Sequence, residues 1–251
     1  MAFRAAPVRV RVPATSANLG PGFDALGGQP RGLEVVCANR IPHSRGLGSS
    51  AAAIVAGLAA ARALVLGGVD TLDDDALLAL AADLEGHPDN VAACLLGGLT
   101  LAWTPAGGPA QAVRLPVSQV LRPVVFVPTT SSSTAKARKM LPETVPHADA
   151  ARNAARSALL VHALAADPSL LLAATEDRLH QQYRAGAQAR TAGLVEALRA
   201  DGVPAVVSGA GPSVLAFAGA ADDLSSYAPR GWAVEVLAVD PAGVELLGLA
   251  G

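Results

Sequence analysis

The stretch RGLGSSAAAIVAGLAAARAL, Arg45 to Leu64, limits the fold more than any other part of the chain. A glycine-rich turn and two serines open a segment that is apolar on all sides, the composition of a helix buried in a core. Gly46 and Gly48 permit backbone geometry that other residues resist, and Ser49 and Ser50 stand where a helix begins. Free N–H groups and the positive end of the helix dipole at such a point face an anion. An ordinary cap leading into a core helix accounts for these residues equally well, so the segment alone leaves both readings open.

The rest of the chain supports a globular core. Of 251 residues, 51% are hydrophobic, enough for one large domain or two small ones. The uncharged run Gly46 to Ala61 contains three glycines and two serines, which argues against a transmembrane helix there. The opening MAFRAAPVRVRVPA alternates Val with Arg and lacks the apolar centre of a secretory signal, so a cytoplasmic protein is expected. A net charge of −2 and few aromatic residues argue against nucleic-acid binding. Cys37 and Cys94 sit in apolar runs with no partner at metal-ligand spacing and are expected to be buried thiols.

Along the chain, Val8 to Val12 reads as a strand and GLEVVCANRIP as a second one with both faces buried. Asp73 to Glu85 has an acidic start and leucines at helical spacing, and it ends in EGHPDN. TPAGGPAQA, rich in Gly and Pro, is the best candidate for a linker or exposed turn. Beyond it RPVVFVP reads as a buried strand and TTSSSTAKARKMLP as a polar loop into a short helix. Helices are expected over 148–164, 169–180 and 191–200, and AVVSGAGPSVLAFAG reads as strand, glycine turn, strand. Two batches of mixed strands and helices predict a two-domain α+β protein, divided as 1–118 and 119–251.

Among phosphate loops, the Walker pattern fails because no lysine follows the glycines. The dinucleotide fingerprint matches literally at Gly46, Gly48 and Ala51. Its context is wrong, since IPHSR separates the strand from the first glycine, and it stands as runner-up.

Taken whole, IPHSRGLGSSAA resembles the phosphate-binding loop of the GHMP kinases, the family of galactokinase, homoserine kinase and mevalonate kinase. VPATSANLGPGFDALG resembles the first motif of the homoserine kinase branch, VSGAGPSVLAF the third family motif, and EGHPDNVAA and STAKARKMLP further segments of that branch, so the resemblance spans almost the whole chain. It implies a GHMP fold with an N-terminal ribosomal-S5-like domain and a C-terminal ferredoxin-like domain. It also implies phosphoryl transfer from ATP to the hydroxyl of L-homoserine, with Mg²⁺, a homodimer, and inhibition by threonine at the substrate site. By position, Pro42, His43, Ser44, Arg45, Gly46, Leu47, Gly48, Ser49, Ser50, Ala51 and Ala52 would wrap the ATP phosphates, and Ser50 and Glu85 would hold the metal.

Asn18 and Asn90 would orient the acceptor hydroxyl, Arg138 and Arg184 would bind its carboxylate, and Asp24 its ammonium. Asn90 stands where several family members carry a basic aspartate. An amide cannot take a proton, so the resemblance implies a substrate-assisted route. His87 and Asp89 lack the spacing of a transition-metal site, and His87 is expected to be a turn or packing residue.

One departure is that GFDALGG passes directly into QPRGLEVV, where the family has several tens of residues bearing part of the adenine pocket. Loss of a sheet strand exceeds a small domain's margin of about 5–15 kcal/mol, which favours a region missing from the sequence as read over one missing from the protein. A kinase for another small alcohol, or a nucleotide-binding protein without turnover, are the alternative functions.

Overall fold

The structure, a computed structural model, describes residues 8–12, 35–131, 137, 139–219 and 222–247. They form two compact units. The first takes in Met1–Pro42, Gly48–Arg114 and Asp240–Gly251, the second His43–Leu47 and Leu115–Val239.

The first unit is built around α1 (Ser49–Leu64), α2 (Gly68–Thr71), α3 (Asp74–Glu85) and α4 (Asp89–Leu96). Ile54 and Val55 of α1, Leu77 and Leu78 of α3 and Val91 and Leu95 of α4 meet in one core, as the leucine spacing of α3 predicts. The exposed positions of α1 are Ala53 and Gly57, so a largely apolar helix turns small residues to solvent. Asp73 caps α3 by accepting the N–H of Ala76 at 2.8 Å. Gly86, at φ +88°, ends the helix in the left-handed conformation and turns the chain into α4.

Two ribbons complete the unit: β1 (Arg9–Arg11) pairs antiparallel with β8 (Glu245–Leu247), and β2 (Leu99–Trp103) with β3 (Gln111–Leu115). Val12, Ala102, Ala112 and Val244 pack from the ribbons onto the helical core. TPAGGPA forms the turn between β2 and β3, and the following Gln111 and Ala112 open β3.

The second unit holds a four-stranded sheet in the order β5 (Ala205–Val207), β6 (Val214–Ala218), β4 (Arg122–Val127), β7 (Ala233–Val236). Val124 stands opposite Ala216 and Val236, and Val207 opposite Val214. Its helices are α5 (His147–Ala165), α6 (Leu171–Ala174), α7 (Gln181–Arg184) and α8 (Ala189–Ala200). Leu194 and Leu198 of α8 cover the face bearing Val124, Phe126 and Ala216, while Phe217 packs with Ala163 and Leu171 of α5 and α6. The α+β class and the mixed organisation follow the sequence reading. Every strand pair whose register is described runs antiparallel, which removes the dinucleotide-binding alternative with its parallel sheet.

Three expectations are corrected. Residues 35–40 form no strand: Val35 and Val36 are 75% and 84% exposed, and the Asn39 side chain closes a local turn on Ile41, accepting its N–H and donating to its carbonyl. Cys37 is therefore exposed, whereas Cys94 is buried as expected. The helix expected over 169–180 breaks after Ala174. Asp177 draws the N–H groups of Leu179, His180 and Gln181 to its carboxylate, and these groups are thereby withheld from a helical ladder.

Candidate active site

In the first unit the site grows from the start of α1. Its N-cap, Gly48, lies at φ +66° and no side chain caps the helix. The first-turn N–H groups therefore keep their anion-binding capacity. The buried hydroxyl of Ser50 donates to Glu85 Oε2 at 2.8 Å, across 35 positions of sequence. Glu85 ends α3, and the left-handed turn at Gly86 brings three more polar residues around the same corner. His87 Nδ1 lies 2.7 Å from Asp89 Oδ1, and the same oxygen accepts the Asn90 N–H at 2.8 Å. Asn90 is buried in the first turn of α4. His87 is largely buried in the turn between α3 and α4, as the turn or packing residue expected from the sequence.

The donor set suits a hard cation. Ser50 and Glu85 offer oxygen alone, and no cluster of three or more His, Cys, Asp or Glu is present among the described residues. One or two protein oxygens completed by phosphate and water is the arrangement Mg²⁺ favours over an all-protein cage.

In the second unit lies the first half of the loop. Ser44 and Gly46 have φ of +56° and +73° and Gly48 follows at +66°, so left-handed residues alternate along the loop. Such alternation turns backbone N–H groups inward, as in the concavities that bind phosphate. Ser44 is the non-glycine among them, a strained position of the kind found at functional sites. Two side chains hold this half. The buried Ser208 hydroxyl donates to Gly46 O at 2.6 Å, and the Arg45 guanidinium donates to the carbonyls of His43, Pro128 and Thr129. A Cβ on Gly46 would lie 2.1 Å from Ser208 O, so no other residue fits there. Ser208 carries no role in the sequence reading beyond its place in SGAGPS.

Arg184, at the end of α7, donates from Nε to Ala137 O at 3.2 Å, next in sequence to Arg138. It also borders a cavity of about 410 Å³ with Arg178, Arg199, Asp177, Gln181 and Gln188. Burial pushes the Asp177 carboxyl up, but the His180 ring and the N–H groups of Gln181, Leu179 and His180 outweigh it and hold the group at about 2. Hydrogen bonds from Arg152 and Arg156 hold Glu176 below its ordinary range. Arg199, lowered by burial, donates to Thr175 Oγ1 and Leu172 O. The cavity wall is thus a set of charges already fixed by neighbours.

Of the residues predicted from sequence, the structure brings Ser50 and Glu85 together and sets Asn90 one corner from Glu85. It also ties Arg184 to the backbone beside Arg138. Asn18, Asp24 and Arg138 lie outside the described residues.

The sequence profile of the GHMP kinases N terminal domain matches residues 17–98. A homoserine kinase of Streptomyces avermitilis is 54% identical over an alignment of 301 residues that covers 99% of this chain and 98% of the relative. The chain belongs to the homoserine kinases. A second homoserine kinase, of Streptomyces coelicolor, is 53% identical over 99% of this chain and 97% of its own. The crystal structure of homoserine kinase from Cytophaga hutchinsonii superposes with a TM-score of 0.72 at 27% identity, covering 83% of this chain and 70% of that one. The fold is accordingly that of a GHMP kinase, an ATP-dependent kinase family. An alignment of 301 residues against a chain of 251 leaves at least 50 residues of the first homoserine kinase without a counterpart here. No helix among the described residues is long and apolar enough to cross a membrane.

Proposed function

We propose that the chain transfers the γ-phosphoryl group of ATP to the side-chain hydroxyl of L-homoserine, giving O-phospho-L-homoserine and ADP. The observation that carries this reading is the Ser50–Glu85 contact at the uncapped start of α1, directly after a loop with left-handed residues at 44, 46 and 48. Phosphoryl transfer asks a protein mainly for positioning and charge neutralisation. The loop and the α1 N–H groups supply a cradle for the phosphates. Ser50 and Glu85 would hold Mg²⁺, which when bound neutralises phosphate charge.

The acceptor is held by charge and orientation. Arg138 and Arg184 bind its carboxylate, Asp24 its ammonium, and Asn18 and Asn90 its hydroxyl. Arginine suits the first role because its planar fork matches a carboxylate. Since the Asn90 amide cannot take the hydroxyl proton, the proton passes to the γ-phosphate as the new P–O bond forms. Likeness to the homoserine kinases supports two further parts of the reading, a homodimer and a cytoplasmic location.

The test is turnover of ATP with homoserine, mevalonate and galactose in turn, on a sample of known intact mass. Phosphorylation of homoserine alone bears the proposal out. Transfer to another alcohol would replace the substrate, and Mg²⁺-dependent ATP binding without product would leave a nucleotide-binding protein. A mass several kilodaltons above 25.1 kDa would place the missing adenine-pocket segment in the protein itself.

A further inference from the structure

The turn SGAGPS, Ser208 to Ser213, is held from two sides. It closes on itself through the Ser208 N–H, which donates to Ser213 O at 2.9 Å, and the Gly211 N–H, which donates to Ser208 O at 2.8 Å. Ser208, Ala210 and Ser213 are buried. One side of the turn meets the phosphate loop. The Ser208 hydroxyl donates to Gly46 O at 2.6 Å, and a Cβ on Gly46 would run into the carbonyls of Ser208 and Gly211. The other side meets the stretch that leads into α8. Gln181 Oε1 accepts the Val207 N–H at 2.7 Å, Gln188 Nε2 donates to Ala210 O at 2.8 Å, and the buried Thr191 hydroxyl donates to Pro212 O at 2.8 Å. The carbonyls before and after Gly211 are thus both held from the start of α8, while the Gly211 carbonyl between them borders Gly46. Because each peptide unit is a rigid plane, fixing the two outer carbonyls limits the direction of the middle one. The turn needs such anchors. Gly209 and Gly211, at φ +57° and +78°, are the residues with the most conformational freedom to lose. All of these residues belong to the second unit.

We propose that Gln188 and Thr191 are positioning residues for the nucleotide, which set the phosphate loop at Gly46 by holding the turn that Gly46 rests on. This rests on the function proposed above, in which the loop wraps the ATP phosphates. The chain of contacts is short: Thr191 and Gln188 to the carbonyls of Pro212 and Ala210, and from that turn through Ser208 to Gly46.

The experiment measures by calorimetry the affinity for a non-hydrolysable ATP analogue with Mg²⁺ in the parent, Thr191→Val, Thr191→Ser, Gln188→Leu, Ser208→Ala and the double variant Thr191→Val/Ser208→Ala. Thermal melts and KM for ATP and for homoserine are recorded beside it. Thr191→Val keeps the shape and loses the donor; it and Gln188→Leu should each weaken the analogue about five- to tenfold, with a matching rise in KM for ATP and a smaller change in KM for homoserine. Thr191→Ser retains the hydroxyl and should keep the parent's affinity. Since Thr191 acts through Ser208, the double variant should bind the analogue no more weakly than Ser208→Ala does, a clear failure of additivity. A merely structural role predicts a lower Tm with analogue affinity unmoved, equal losses for both substrates, or losses that multiply in the double variant, and any of these overturns the proposal. If Thr191→Val does not fold, Gln188→Leu carries the same comparison against Ser208→Ala. A parent that neither binds the analogue nor turns over ATP with homoserine would defeat the kinase reading itself; a parent that does both, with variants equal to it, defeats the roles of Gln188 and Thr191 alone.

Discussion

Replacing Gly46 by alanine probes the loop most directly. The added Cβ would stand 2.1 Å from the carbonyl oxygen of Ser208 and 3.0 Å from that of Gly211, where real Cβ atoms essentially never come below 3.0 Å. Both obstacles are backbone, so one segment must retreat by about 1 Å, a displacement that costs a positioned reaction about 10²-fold in rate. A left-handed φ of +73° adds about 1–2 kcal/mol of strain for a residue with a side chain. The same retreat breaks the buried bond from Ser208 Oγ to Gly46 O, worth about 1–3 kcal/mol if the groups are left unsatisfied. We expect kcat/KM for ATP to fall by about two orders of magnitude and Tm by roughly 5 °C or more. The assays are steady-state kinetics at saturating homoserine and a thermal melt. Gly57→Ala is the control. No heavy atom lies within 4 Å of the new Cβ in the middle of α1, so that variant should gain about 1 kcal/mol of helix stability with kinetics unchanged. Normal ATP kinetics in Gly46→Ala would refute the reasoning from steric fit.

Ser50→Ala and Glu85→Gln should each raise the Mg²⁺ concentration needed for half-maximal rate by about 10- to 100-fold with the circular dichroism spectrum retained, and an unchanged Mg²⁺ dependence in both would remove the metal assignment. Arg184→Ala should raise KM for homoserine by about 10- to 100-fold and leave KM for ATP nearly alone; equal effects on the two would make the residue structural. Asp177 titrates at about 2 in the folded chain against 3.8 ordinarily, so its contribution is present above pH 3.8 and is lost as pH falls through about 2. After discounting for solvent it amounts to about 1–2 kcal/mol. Urea midpoints of the parent and Asp177→Asn should therefore converge toward pH 2, and a gap independent of pH would sink this account.

Where local chemistry decides a structure, reading the sequence succeeded. The α3 start follows from Asp73 as cap with leucines at helical spacing, and β5 and β6 from apolar runs flanking SGAGPS. GLEVVCANR failed because a strand buried on both faces needs neighbours, and strand partners are a tertiary fact that an apolar run cannot reveal. The helix over 169–180 failed because the capture of three N–H groups by Asp177 outcompetes helical spacing. At the site, Ser50 and Glu85 were legible through resemblance, although 35 positions separate them. The holds of Arg45 and Ser208 were not, since their partners are backbone carbonyls, and a carbonyl is the same at every residue.

The pairing of β1 with β8 sets the order in which a nascent chain can fold. Arg11 Nε donates to Glu245 Oε2 at 2.7 Å across 234 positions of sequence, and Val10 stands opposite Leu246. Once made, β1 must wait for more than 230 further residues to be synthesised before its hydrogen-bond edge is closed by β8. Nearly all of the second unit is translated in that interval from one continuous stretch, Leu115–Val239, and has its sheet partners to hand. Vectorial synthesis therefore lets the continuous unit close its sheet first and leaves β1 without β8 until Glu245–Leu247 has been made, the period in which such an edge is most exposed to capture by another chain.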